Sequence, residues 1–245
     1  PAPSGEVNDV ALDARGDAWL ATSRGLARVS DGRLRSWGLL HGLAHEHVGA
    51  LAATDSGILL GTSAGVQRFD GVGFSSVGSP ELGIRNVYSV AETPEGALVG
   101  TIDGLWELGA SASLFRYESG ELPDSWVNAV ALGPDGTLWA GTYDRGLASR
   151  TADGVWRRLT EDDDLPCGWV NPDALLPLPD GSALVGTLGG GLLRVRPDRV
   201  LDVWLPADGL AGADVTGLAR DGATVWIATR SGLSRMEIVH VPPRS

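Results

Sequence analysis

Gly136-Thr137-Leu138-Trp139-Ala140-Gly141-Thr142, closed a few residues later by Gly146-Leu147, decides the fold, because it recurs in outline along the whole chain. A threonine followed three or four residues on by glycine, and then by Leu or Val, occurs at Thr22/Gly25, Thr62/Gly65, Thr101/Gly104, Thr142/Gly146, Thr187/Gly191 and Thr229/Gly232. Successive threonines are 40, 39, 41, 45 and 42 residues apart. A near-constant period of about 40–50 residues is that of propeller blades.

The rest of each repeat has one grammar. A first strand reads V-x-x-[VL]-A, at Val7–Ala11, Val48–Ala52, Val87–Ala91, Val127–Ala131 and Val215–Ala219. A tight turn follows at Gly16, Gly57, Gly96, Gly136, Gly181 or Gly222, and in the last three Asp stands directly before the glycine, a strong hairpin signal. Three residues before the threonine stands Trp19, Leu59, Leu98, Trp139, Leu184 or Trp226, and a fourth strand carries Trp37, Phe74, Phe115, Trp156 or Trp204. Short strands, apolar on both faces and without helical periodicity, are strands covered on both sides. The small alanine of the first strand suits the axis, where blades converge. These features predict an all-β fold, a six-bladed β-propeller built from about 40-residue four-stranded repeats. It forms a single domain, 1–245, with blades at approximately 6–46, 47–85, 86–125, 126–168, 169–213 and 214–241. Blade five carries extra residues around Asn171-Pro172-Asp173, tolerable because the innermost strand is a sheet edge. Blade six lacks a clear fourth strand after Met236, and Ile238–Val241 is the segment that could supply a short one.

The strings Gly136–Thr142 with Gly146-Leu147, and Thr224-Val225-Trp226-Ile227-Ala228-Thr229 with Gly232-Leu233, resemble the repeat of the two-component regulator propeller family. That repeat reads approximately D-x-x-G-x-[LI]-W-[IV]-G-T, then G-L. The resemblance covers all six repeats, but its matched residues pack blades and do not specify a chemistry. It implies an extracytoplasmic sensor module of the kind found in hybrid histidine kinases that respond to polysaccharide fragments, and hence a periplasmic or extracellular location. Those sensors commonly carry two propellers, a β-sandwich and a membrane span, whereas six repeats and no kinase are present in this sequence. The function has to be argued from the site, since one fold hosts many chemistries.

Composition narrows the classes. The 245 residues carry a net charge of −12, which argues against a nucleic-acid partner and against an anionic membrane surface. All 19 positive charges are arginine, so lysine-based covalent catalysis is excluded. Cys167 is the single cysteine and no intramolecular disulfide can form. No apolar run reaches the roughly 18 residues of a membrane span, so no membrane insertion is expected. The chain opens at Pro1 without a methionine or a signal peptide, which reads as a mature secreted protein or a piece of a longer one.

In a propeller, the loops that enter each first strand and the loops between second and third strands lie on one face. The residues just before the leading valines, Glu6, His47, Asn86, Trp126, Trp169 and Asp214, should therefore ring the mouth. Asn171, one position after its valine, and the loop residues Arg24, Asp103, Tyr143 and Arg230 join them. The scaffold repeats but this collection does not, which marks a candidate ligand site. Trp126 and Trp169, on consecutive blades, suit an aromatic platform for a carbohydrate or another small ligand, and a protein partner is the other expectation. No cofactor is implied. The His41, His45, Glu46, His47 cluster has metal-ligand chemistry but irregular spacing, and the Glu161–Asp164 run lacks the order of a calcium loop, so no metal centre is assigned. A propeller enzyme, a lyase or glycoside hydrolase, would use a Glu6/Asp214 carboxylate pair with His47 as base, or Cys167 as nucleophile. No catalytic motif supports it, and a non-enzymatic binding propeller is the leading expectation. An interaction scaffold and a propeller fragment of a larger protein are the alternatives.

Overall fold

The computed structural model describes residues 5–238 and is an all-β, six-bladed propeller. Five blades are four-stranded antiparallel meanders, and the sixth has three strands among the described residues. The first strands, Val7–Leu12, Val48–Thr54, Val87–Thr93, Val127–Leu132, Val170–Pro177 and Val215–Asp221, line the axis in sequence order. The segment Ile238–Val241, expected to complete blade six, falls outside the described residues beyond Ile238.

The repeated residues each have a mechanical task. The threonine hydroxyl ties the second-to-third-strand turn: Thr22, Thr62, Thr101, Thr142, Thr187 and Thr229 donate from Oγ1 to the carbonyls of Gly25, Gly65, Gly104, Gly146, Gly191 and Gly232. The glycine is required there. Gly146 has φ +96°, and a Cβ on it would lie 2.2 Å from the Leu159 carbonyl oxygen. The glycine just before the threonine serves the next blade. A Cβ on Gly61, Gly141 or Gly186 would fall within 2.3–2.5 Å of the leading valine, Val87, Val170 or Val215, of the following blade. Those valines are fully or almost fully buried. The interfaces between blades are thus a valine knob seated in a glycine hole, or against Ala21 where blade one meets blade two, surrounded by the large second-strand residues.

Every first strand carries an irregularity just after its leading valine; in five blades it is a β-bulge with two residues opposing one on the second strand, and in blade five residues 171–174 stand opposite Gly186. The bulged residue is freed from the ladder. In three blades it is asparagine, and its amide reaches the next blade: Asn8, Asn128 and Asn171 donate from Nδ2 to the carbonyls of Val48, Val170 and Val215.

Four short 3-10 turns, Leu39–His41, Pro80–Leu82, Glu161–Asp163 and Pro206–Asp208, interrupt the blade-to-blade connections. Each is followed by a residue in the left-handed conformation, Gly42, Gly83, Asp164 or Gly209. A buried leucine comes next in blades one and four, Leu43 and Leu165. The acidic run Glu161–Asp164 belongs to one of these turns, capped by Asp163 Oδ2 accepting from the Thr160 N–H and hydroxyl, and it is solvent-exposed.

Candidate functional site

The hydrogen bonds of the loops place the residues named from the sequence. The N–H of the residue after the threonine donates to the carbonyl of the residue before the leading valine, blade after blade: Ser23 to Glu6, Ser63 to His47, Tyr143 to Trp126, Leu188 to Trp169 and Arg230 to Asp214. The two sets of loops therefore share one face and form one rim. Blade three departs from this pattern. Asn86 adopts φ +50°, and its N–H donates across to Ser63 of blade two.

This rim has two unlike sectors. On blades three to five the aromatic rings are gathered. Trp126 stacks on Tyr143 with centroids 4.1 Å apart and planes 8° from parallel. Tyr143 meets Trp169 at 4.1 Å and 42°, and Tyr88 meets Trp126 at 5.6 Å and 41°. The two tryptophans are thus not a bare platform but the ends of a continuous stack with Tyr143 between them. All four rings are half-buried. Trp126 Nε1 is buried without a hydrogen-bond partner among the described residues. Tyr88 belongs to this arc. Its place, one after a leading valine, is the bulge, which turns its ring to the rim instead of into a sheet.

The opposite sector is polar and charged. Glu6, Arg24, His47 and Arg230 are exposed, as are Asn86 and Asp103 further round the rim. Asp214 pairs through Oδ2 with Arg230, while its Oδ1 accepts from Asn171 Nδ2 at 2.9 Å. Both carboxylate oxygens are therefore engaged, and Asn171 is buried as a link between blades five and six. Arg230 and Asn171 thus share the Asp214 carboxylate. The Cys167 thiol donates to the Leu188 carbonyl at 3.3 Å. Among the described residues no three His, Cys, Asp or Glu side chains are gathered closely enough to hold a metal ion.

Below the rim lies a pair that the strand pattern did not single out. The carboxyls of Asp9 of blade one and Asp173 of blade five approach closely enough to couple. Blades one and five are not neighbours, so the contact spans the central channel. The insertion at Asn171-Pro172-Asp173 is the cause: Asp173 adopts φ +58°, and the bulge projects inward, approaching the first strand of blade three as well. Water reaches Asp173, yet protein surrounds it, as expected inside a channel. Desolvation, reinforced by the charge of Asp9 and the hydrogen bond to it, pushes the Asp173 carboxyl up to about 8. Asp9 is also raised, by burial, against the opposing pull of the Leu51 and Val10 N–H groups and of Asp173. Both carboxyls are thus pushed toward the protonated form, and Asp9 Oδ2 accepts from the Leu51 N–H at 2.6 Å. The proline insertion stands on the edge strand of its sheet, as the sequence predicts, and carries Asp173 toward blade one.

Comparison with known proteins agrees with this architecture. The family model described as two component regulator propeller matches residues 121–144, which contain the Gly136–Thr142 string. No curated protein matches the sequence. Among solved structures, the extracellular domain of a one component system from B. thetaiotaomicron superposes with a TM-score of 0.73 at 16% identity, over 96% of this chain and 35% of that one. The chain thus spans about a third of that extracellular domain. Virginiamycin B lyase from Staphylococcus aureus, in a catalytically inactive form with quinupristin, gives 0.75 at 13% identity, over 98% of this chain and 83% of the other. YCF48 bound to D1 peptide gives 0.62 at 14% identity, over 96% and 79%. At these identities the likeness is one of fold.

Proposed function

We propose that this propeller is a non-enzymatic recognition module of the extracytoplasmic sensor kind, and that it binds its ligand at the rim where Tyr88, Trp126, Tyr143 and Trp169 form one arc. The observation that carries this reading is the concentration of four touching aromatic rings on one sector of an otherwise polar rim. Packing within blades does not require them, since the scaffold positions of the same repeats are filled by Val, Leu and Gly. Their exposed edges and faces suit a partly apolar, partly hydrogen-bonding ligand such as a carbohydrate fragment or a peptide segment, with Glu6, His47, Asn86 and Arg230 available to the polar groups. A protein partner is supported by analogy with the peptide-bound propeller of the same fold, and a location outside the cytoplasm by analogy with the sensor domain; both are analogies of fold. Enzyme chemistry through Asp214 is disfavoured because Arg230 and Asn171 occupy its carboxylate.

The test is intrinsic tryptophan fluorescence during titration with a panel of oligosaccharides and short peptides, repeated with Trp126→Ala and Trp169→Ala. Saturable quenching or enhancement with one class, weakened at least tenfold in both variants while the fold is retained, is the expected result. Binding that survives both substitutions would move the site away from this rim, and turnover of a bound compound would replace recognition by catalysis.

A further inference from the structure

The rows of side chains that face a neighbouring blade are buried at five interfaces and open at one place. The leading valines Val48, Val87, Val127, Val170 and Val215 are 0–3% exposed, whereas Val7 is 55% exposed. The valine or leucine three positions on is 7–8% exposed at Leu51, Val90 and Val130, but 55% at Val10. On the other side of the gap, Leu233 is 62% exposed where Leu26, Leu105, Leu147 and Leu192 are at most 1%, and Trp226 is 41% exposed where Trp19 and Trp139 are at most 5%. Strand pairing fixes the directions. Val10 and Leu12 lie on the face of blade one that points away from blade two, whose packing is made by Ala11, Trp19 and Leu26. Trp226 and Leu233 lie on the face of blade six opposite Val225 and Ile227, which are buried with the blade-five residues Leu184 and Leu192. The first strands of blades one and six do not pack against each other as every consecutive pair does.

We infer that the space between blade six and blade one is the seat of one further four-stranded blade of this same repeat. The two bare faces are the two halves of the interface that recurs five times in the molecule. Blade six offers a small residue before its threonine, Ala228, with no valine seated against it, and blade one offers Val7 with no hole to enter. A sheet of the same grammar supplies both missing parts, a leading valine for blade six and a second-strand hole for Val7. A second copy of this chain fits less well, since each of its end blades is already covered on one side by a neighbour. The fold match to the lyase leaves over a part of that protein about one repeat long. This inference is independent of the rim reading.

The experiment appends a second copy of residues 127–168, blade four with its outgoing connection, after residue 238 of the full chain, and in a separate protein places it before residue 5. Amide hydrogen exchange is then followed over residues 7–12 and 232–237. Slowing of at least tenfold in both segments in either arrangement, with a higher melting temperature, and reversal of both by Val10→Arg or Leu233→Arg, is expected. The same two substitutions should leave the unextended chain almost unchanged, because their sites are already exposed. Protection already present in the unextended chain at low concentration would mean that the ring closes on itself, and protection that rises with concentration would mean that a second copy covers the faces; either overturns the inference. So does an appended repeat that folds without protecting these segments, or one that remains unfolded in both arrangements.

Discussion

Blade four and blade six are written almost alike, Leu-Trp-Ala-Gly-Thr at 138–142 and Val-Trp-Ile-Ala-Thr at 225–229, yet Trp139 is 2% exposed and Trp226 41%. The first three strands pair in the same order in both and the threonine tie is kept, although the second-to-third-strand turn is one residue longer in blade four. The difference is one of neighbours: blade four is sandwiched by blades three and five, blade six only by blade five. The repeat motif thus encodes half an interface, and its contribution to stability is realised only where the other half stands opposite.

The largest effect should come from the indole itself. Trp139→Ala is expected to destabilise the protein by about 3–5 kcal/mol, through lost burial and the cavity left behind, whereas Trp226→Ala should cost about 1 kcal/mol or less, as at exposed sites. Urea denaturation of the two variants measures the contrast, and equal losses would break it. A smaller contrast is expected at the turn glycines. Gly146→Ala meets the Leu159 carbonyl at 2.2 Å in addition to the backbone strain, while in Gly232→Ala the nearest atom, Ala211 Cβ, is 3.4 Å away. Both should lose about 1 kcal/mol to the left-handed conformation, and only Gly146→Ala about 1–3 kcal/mol more. Thermal unfolding of the pair reads the difference directly.

The third and smallest effect concerns the channel, which links blade five to blade one past blade six. The folded-state carboxyl of Asp173 titrates near 8, above its unfolded value of about 3.8, so the native state holds an extra proton between these values. Its contribution to stability is therefore complete below about pH 4 and is lost as the pH rises through 8, after which two carboxylates face each other. Water in the channel keeps the slope modest. Asp173→Asn should remove this decline between pH 6 and pH 9, measured as the shift of the urea midpoint, and an unchanged slope would show that the pair does not share a proton.

Most of the architecture was legible because a propeller repeats its packing rule. Threonine, glycine and valine recur at fixed offsets since each answers the same local demand, so the blade number, strand order and mouth face could be read from spacing alone. The site was legible only in part. The rim positions followed from topology, and the structure brings Trp126, Tyr143 and Trp169 together as a stack. What Tyr143 does between the tryptophans, and that Asn171 and Arg230 occupy Asp214, depends on side-chain directions that spacing does not carry. Asp9 and Asp173 were missed for a different reason. They are far apart in sequence and on non-adjacent blades, and only the inward course of the Pro172 bulge brings them into contact. The one signal available was the irregularity of blade five itself, an inserted proline and acid where every other blade keeps the rule.

The bulge after each leading valine has a consequence for how such a surface changes over time. Because the bulged residue sits outside the ladder, exchanging it leaves the register of its blade untouched. Asn8, Gly49, Tyr88, Asn128, Asn171 and Thr216 already show amide, aromatic, hydroxyl and bare backbone tolerated by one scaffold. At Tyr88 and Thr216 the rim can thus be rewritten one residue at a time without any rewriting of the frame, whereas Asn8, Asn128 and Asn171 are held by their bonds to the next blade and a Cβ on Gly49 would lie 2.7 Å from the Val87 carbonyl oxygen.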